Sequence, residues 1–284
     1  MKAQLIVSLT KSVLSVCIVA AIGCGGGSDG SSDQSGTVCD SIGYGKSLKV
    51  AAGEQCLADS SSDTSSIVKL FLFEGSSLVG SCTGTVISPT AVLTAAHCFE
   101  DADSVVVRAV TNGTKVDVPS SRVAVHPGFV LIEDGFPEPG IVFNDVAIVH
   151  TSLQLPVAPV PLLLSRAPVV GEKTIVAGYG QTENNGPAVE DVVAGRAVVR
   201  IVTENHLRID FRGGESHPCQ GDSGGALLIE EDSGLVIVGV VSQSDPSVSE
   251  EQVCSKGDMT LYANIQSTEI SNFITSQVPN VEVR

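Results

Sequence analysis

Ile67-Val68-Lys69-Leu70-Phe71-Leu72-Phe73 is a short run rich in β-branched and aromatic residues, and it sets the pattern for the rest of the chain. Comparable runs recur at 84–88, 104–110, 146–150, 173–177, 196–202, 207–211, 225–229, 235–241 and 260–265, separated by Gly, Pro, Asn and Asp. That density of short strands and tight turns predicts an all-β sandwich or barrel. Helical spacing appears near the end, where Ile270, Phe273 and Ile274 follow Ser267, an N-cap residue with Glu269 in the first turn. One short C-terminal helix is therefore expected. No internal repeat, P-loop or GxGxxG in a βαβ context is present.

Composition agrees with a folded chain. Of 284 residues, 43% are hydrophobic and 17% charged, enough for one large domain or two smaller ones. Asp and Glu number 32 against 16 Lys and Arg, for a net charge of −16. That balance argues against a nucleic-acid partner, which needs a basic face to displace counterions. Aromatics make up only 4%, Trp is absent, and no stacking platform for single strands is evident.

Residues 1–24 read as a targeting segment. Lys2 and Lys11 precede an apolar run at 12–23, too short to span a bilayer, which takes about 20 residues. The run ends at Ala21-Ile22-Gly23-Cys24, which resembles the lipobox of bacterial lipoproteins, with Ala21 where that family usually has Leu. The resemblance implies cleavage before Cys24 and a lipid on its thiol; an ordinary secretory peptide is the alternative. Residues 25–36 are rich in Gly, Ser and Asp without periodicity, a flexible tether, and 25–49 as a whole are expected to be linker and propeptide. Losing residues 1–24 removes two Lys and takes the net charge from −16 to −18. A lipid, and not a basic face, would then hold the domain at a membrane. Without the anchor the protein would be secreted.

Eight Cys occur. Setting aside Cys17 and Cys24 leaves Cys39, Cys56, Cys82, Cys98, Cys219 and Cys254, an even number in an exported chain and so three disulfides. Counting alone leaves all fifteen pairings open. No CxxC spacing points to zinc, and no metal or cofactor is expected. Asn112-Gly113-Thr114 matches a glycosylation sequon but reads as a hairpin turn. The acidic run at 100–103 lacks EF-hand spacing and reads as a solvated loop.

Three segments carry chemistry: Leu93-Thr94-Ala95-Ala96-His97-Cys98, Asn144-Asp145-Val146-Ala147-Ile148-Val149 and Cys219-Gln220-Gly221-Asp222-Ser223-Gly224-Gly225. Each has a bland reading alone: a packed His, a turn Asp, a glycine turn. Together, in the order His, Asp, Ser, they resemble the chymotrypsin/trypsin-like serine peptidases over residues 50–278. The resemblance implies two packed six-stranded antiparallel β-barrels with a short C-terminal helix, and a peptidase domain at 50–284. It implies a monomer that acts on proteins or peptides.

A Ser hydroxyl attacks a carbonyl only when a neighbouring base takes its proton. By resemblance His97 is that base for Ser223, Asp145 holds the imidazole, and the N–H groups of Gly221 and Ser223 form the oxyanion hole. Gly221 and Gly224 let the chain turn sharply around the nucleophile. The family pairs Cys82 with Cys98 and Cys219 with Cys254, which leaves Cys39 with Cys56. Lys49-Val50-Ala51-Ala52-Gly53-Glu54 resembles the family's activation site, with Ala52 replacing Gly; cleavage after Lys49 would free the Val50 amine to pair with Asp222.

For specificity the resemblance puts His217 at the base of the primary pocket, where trypsin-like members have Asp. Ser242, Ser244 and Thr260 line the substrate strand and pocket walls, in a segment, Ser242-Gln243-Ser244, that lacks the family's Trp. Poor cleavage after Lys or Arg is expected, with small residues accepted and Glu or Asp a second class if His217 donates. An activating protease other than the chain itself would then cut after Lys49. The competing reading is a catalytically inactive peptidase-fold binding module at the cell surface. An esterase of the α/β-hydrolase type fails, because Gly221-Asp222-Ser223-Gly224 is not GxSxG and strands do not alternate with helices.

Overall fold

Antiparallel pairing closes two six-stranded barrels. The structure, a computed structural model, describes residues 37–45, 47–50, 53–58, 60–132, 141–183, 186–187, 189–212, 215–249 and 253–284. The expected targeting segment, Cys24, the 25–36 tether and Ala51-Ala52 lie outside the described residues, and Lys49 and Val50 are described by main chain alone.

The first barrel runs in the order Ala147–Thr151, Ala91–Thr94, Ser77–Ser88, Ser65–Glu74, Ser104–Thr111 and Thr114–Val125, and closes where Val125 pairs with Ala147. Alternation drives it. In Ser104–Thr111, Val105, Val107 and Ala109 are buried, while Arg108 faces out and makes a two-pronged bond to Asp117, its cross-strand partner, at 2.7 Å through each nitrogen. Asn112 (φ 49°) and Gly113 (φ 68°) form the two-residue turn before Thr114, so this sequon is a hairpin turn.

The second barrel runs Val193–Val202, Lys173–Gly178, Ala226–Glu231, Gly234–Ser244, Met259–Asn264 and His206–Asp210, closing where Val199 pairs with Ile209. Val199, Leu207, Leu227, Val238 and Tyr262 fill it without solvent contact. The helix Thr268–Gln277 starts at Ser267, whose side chain accepts the Ile270 N–H, and buries Ile270, Phe273 and Ile274. Phe273 meets the His126 ring edge-on at 4.8 Å, tying the C-terminus back to the first barrel.

Residues 37–45 and the strand Ser47–Val50 are structured. Thr37 caps a turn of helix, Val38–Ser41, through a capping box with Asp40, and Val38, Cys39, Ile42 and Tyr44 are all buried. Ser47–Val50 then pairs with Gly53–Cys56, which adds to the edge of the second barrel at Val193 and Ala194. Buried apolar side chains and the Cys39–Cys56 bridge make this segment part of the folded unit, which spans Gly36–Arg284. Among the described residues no helix is long and apolar enough to cross a membrane.

Candidate active site

Strand pairing brings His97 and Asp145 together. Ala147 lies opposite Thr94, so the residue two before Ala147 and the residue three after Thr94 emerge at the same end of the first barrel. Ala95 and Ala96, small and buried, let the chain tuck into a single turn at His97–Phe99, which the Cys82–Cys98 bridge pins. Asn144 enters its turn at φ 53°, a conformation Asn tolerates, and its side-chain amide donates to Gly128 O (3.1 Å) and Glu269 Oε2 (2.9 Å). That anchors the residue before Asp145 to the C-terminal helix.

Asp145 is 1% exposed and fully engaged. Its Oδ1 accepts the His97 main-chain N–H at 2.9 Å; its Oδ2 lies 2.7 Å from His97 Nδ1 and accepts the Ser242 hydroxyl at 2.6 Å. Burial raises its pKa, but the bonds from His97 and Ser242 outweigh this, and the carboxylate titrates below its ordinary range. Burial alone lowers the His97 pKa, yet the bond and charge of Asp145 win and hold it above the ordinary value.

Ser223 sits on the turn before the strand Ala226–Glu231 of the second barrel, partly exposed. The turn needs glycine on both sides. Gly221 has φ 95° and Gly224 φ 82°, and a Cβ at Gly224 would fall 2.0 Å from Thr94 Oγ1. Among the described residues the N–H groups of Gly221 and Ser223 donate to no protein acceptor, whereas Asp222, Gly224 and Gly225 donate to Cys219 O, Val241 O and Asp222 O. Two adjacent free donors beside a hydroxyl suit a developing oxyanion. Among the described residues no hydrogen bond joins Ser223 to His97, a contact that commonly tightens only with substrate.

Against Ser223 lies a cavity of about 130 Å³ lined by Ser242, Ser244, Thr260, Val241, Val253 and Pro218 among others. Ser244 and Thr260 are cross-strand partners, so both side chains enter it from adjoining strands. His217 is not among the residues that line this cavity. It is buried, stacks on Phe211 (centroids 4.1 Å apart, 22° between planes) and lines a separate cavity beside Asp222. Burial depresses its pKa, and neither ring nitrogen makes a well-formed hydrogen bond, although the Cys254 main chain and Asp258 lie close enough to pull the other way. Stacking on Phe211 fixes the imidazole away from the residues that line the Ser223 cavity.

The family described as Trypsin matches residues 58–269. Brachyurin of Leptuca pugilator is 33% identical over 171 residues, 51% of this chain and 70% of that protein. Transmembrane protease serine 9 of Rattus norvegicus is 30% identical over 189 residues, 57% of this chain but 17% of that protein, and trypsin I-P1 of Gallus gallus is 28% identical over 167 residues, 52% and 64% respectively. The chain belongs to the trypsin family.

In this trypsin-family chain all three disulfides join the Cys that the resemblance implied: Cys39–Cys56, Cys82–Cys98 and Cys219–Cys254. Cys82, His97 and Cys98 gather three possible metal-ligand atoms, but both sulfurs are committed to their bridge. Asp222 points inward. Its carboxylate accepts the N–H groups of Gly180 and Cys219, each at 2.8 Å, and is clamped so closely that a Cβ on Gly178 would lie 2.0 Å from it. Burial pushes its pKa up to about 6 against the pull of those two bonds, because no cation lies beside it among the described residues. Lys49 and Val50 are continuous within the hairpin strand, opposite Glu54 and Gly53. Reading the sequence placed Ser242 only on the substrate strand; its bond to Asp145 depends on the two barrels meeting and has no signature in spacing.

Proposed function

We propose that the chain is an exported serine endopeptidase that hydrolyses peptide bonds through His97, Asp145 and Ser223 and does not prefer Lys or Arg. The observation that carries this reading is the two-point contact between Asp145 and His97 beside a nucleophile turn with two free N–H donors. His97 Nδ1–H donates to Asp145, which leaves Nε2 as the base. Nε2 takes the Ser223 proton as the hydroxyl oxygen attacks the scissile carbonyl. The carbonyl oxygen gains the charge and accepts the N–H groups of Gly221 and Ser223. His97 then protonates the leaving amine, and the acyl group stays on Ser223 until water, deprotonated by His97, releases it. Ser223→Ala should abolish both hydrolysis and labelling by an organophosphonate while leaving thermal unfolding nearly unchanged. Hydrolysis retained in that variant would sink the assignment, and a wild-type protein that neither cleaves nor labels would favour a binding module.

The small cavity beside Ser223, narrowed by the Ser244 and Thr260 hydroxyls, supports a preference for small residues before the scissile bond. With His217 stacked on Phe211 and no Lys, Arg or His among the described residues that line the cavity, acidic residues have no cationic partner there and are not favoured. Activation by cleavage after Lys49 is supported by the uncompensated Asp222 carboxylate and by the cavity of about 20 Å³ beside it, lined by Val176, Ala177 and Val193, the last of these a partner of the Gly53–Cys56 strand that would lead the Val50 amine in. A pocket unsuited to Lys means that a different protease performs that cut. The Cys39–Cys56 bridge would keep the pro-segment attached, so an activated sample should show a lighter chain on reducing gels only.

Three disulfides fit an oxidising compartment, consistent with export, and lipidation at Cys24 would retain the protein at the cell envelope. N-terminal analysis of the mature protein tests both the anchor and the cut.

A further inference from the structure

Thr83, in the strand Ser77–Ser88, is wholly buried at the seam between the barrels and touches the nucleophile turn at two points. Its hydroxyl donates to Gly221 O at 2.9 Å and accepts the Tyr179 N–H at 3.0 Å. Its own N–H donates to Ser223 O at 2.9 Å, and its carbonyl accepts the hydroxyl of Thr94, three residues ahead of His97, at 2.8 Å. A hydroxyl has one proton, and Tyr179 N–H can only donate, so the direction of both side-chain bonds is settled.

These bonds account for the peptide planes around Ser223 one by one. The Gly221–Asp222 plane is held by Thr83 Oγ1 on its oxygen and by Cys219 O on its N–H. The Asp222–Ser223 plane is held by the Gly225 N–H on its oxygen, which leaves the Ser223 N–H outward. The Ser223–Gly224 plane is held by the Thr83 N–H on its oxygen and by Val241 O on its N–H. The weak point is Gly221, at φ 95° and with no side chain to resist rotation. Its carbonyl is restrained from the first barrel by the Thr83 hydroxyl.

We infer that Thr83 is a positioning residue for the oxyanion hole, an inference that rests on the serine-peptidase reading above. Removing the hydroxyl leaves Gly221 O and Tyr179 N–H without partners in a closed seam, and the cheapest way to recover them is to turn the Gly221–Asp222 peptide plane. Gly221 has no side chain to resist the change, so its Cα shifts with that plane and carries along the adjoining Gln220–Gly221 plane, whose N–H faces the oxyanion. Substrate binding, which lies on the Ser244 side, is left as it was.

The test compares Thr83→Val with Thr83→Ser, each normalised to sites titrated with a phosphonate, on a peptide with a small residue before the scissile bond. Thr83→Val should lower kcat roughly tenfold or more, short of the ~10²–10³ for losing a donor outright, with KM within about twofold of wild type. Affinity for a peptide boronate, whose tetrahedral adduct places an oxygen in the hole, should fall in step with kcat. Thr83→Ser keeps the hydroxyl and should stay close to wild type in both. If Thr83→Val does not fold, Thr83→Ala carries the same expectation. Wild-type kcat per titrated site in the hydroxyl-free variant, or equal losses in the Ser and Val variants, would overturn the inference. The wild-type enzyme is the internal control, because failure of its own turnover strikes the serine-peptidase reading, whereas normal turnover with an unimpaired variant strikes Thr83 alone.

Discussion

Asp145 holds His97 by both carboxylate oxygens, one on the ring at 2.7 Å and one on the main-chain N–H at 2.9 Å. The first contact fixes the tautomer and the second fixes the ring's base, so the imidazole is restrained in position and in proton placement at once. In the proposed mechanism the base is neutral His97. Since Asp145 raises the His97 pKa, kcat/KM should climb with pH through an inflection above 6.5, the ordinary His value. Asp145→Asn removes the charge and leaves burial as the main influence, so the inflection should move below 6.5 while kcat drops about 10⁴-fold, the magnitude characteristic of a Ser-His-Asp triad. A pH–rate profile of both proteins checks this; an inflection that does not move would contradict it.

Ser242→Ala should act on the same carboxylate more gently. The hydroxyl donates to Asp145 Oδ2 at 2.6 Å from a buried position, and a hydrogen bond to a charged group is worth about 1.5–3 kcal/mol. Urea unfolding at neutral pH should show a loss of that order. Turnover should fall by far less than in Asp145→Asn, because both His97 contacts survive. Unchanged stability would mean that Asp145 finds a replacement donor.

What could be read from the chain was local. The ten apolar runs all lie in or overlap strands, and Ser267 caps the helix, because burial periodicity and capping chemistry are properties of neighbours in sequence. The twelve-residue strand Thr114–Val125 has no such local mark: only Val118 is buried, while Lys115, Asp117 and Arg122 look like a polar loop. It exists because the first barrel must close, and its partners are forty or fewer residues away on both sides. Residues 37–45 lack a sequence pattern for a related reason, since Ile42 and Tyr44 are too few to make one, yet both are buried in the segment that the Cys39–Cys56 bridge ties down. The triad residues sit in stretches whose residue order identifies the family. The Thr83 hydroxyl and the Phe211 that diverts His217 act across the fold, and nothing near them in sequence marks them.

Asp222 should give the uncut protein an unusual acid response. Its native pKa, about 6, is above its ordinary value of 3.8, so between those values the folded chain binds more protons than the unfolded one. Stability is therefore favoured at low pH by this group and declines as pH rises through that window, by up to about 3 kcal/mol in all. Denaturation midpoints of uncut wild type and Asp222→Asn, measured from pH 4 to 7, should diverge as pH rises, with the variant gaining relative to wild type. After cleavage, a Val50 amine beside Asp222 should lower the carboxylate pKa and remove the divergence. Curves that stay parallel in the uncut protein would show that Asp222 is better solvated than its clamp between Gly178 and Gly180 implies.

Pocket size should be set by Ser244 and Thr260 together, because they face each other across paired strands and both border the 130 Å³ cavity beside Ser223. Burying one more methylene of substrate is worth about 0.8 kcal/mol, close to fourfold in kcat/KM, provided there is room for it. Ser244 and Thr260 side chains occupy the cavity walls, so peptides with Ala before the scissile bond should outrun those with Leu or Phe. Replacing both residues with Gly removes the two side chains without touching Ser223, His97 or Asp145. Strand pairing survives the change, since the Ser244–Thr260 register is a main-chain property. The ratio of Leu to Ala cleavage should then rise by roughly tenfold to a hundredfold, the gain expected for two to three newly buried methylenes. Each single Gly variant should give a smaller part of it. Cleavage after Arg should remain poor in every variant, because none of these changes places a carboxylate in the cavity. A fluorogenic peptide library varied at that one residue reads all of these at once. Efficient cleavage after Arg, or a Leu-to-Ala ratio unmoved by the double change, would show that the walls of the pocket lie elsewhere.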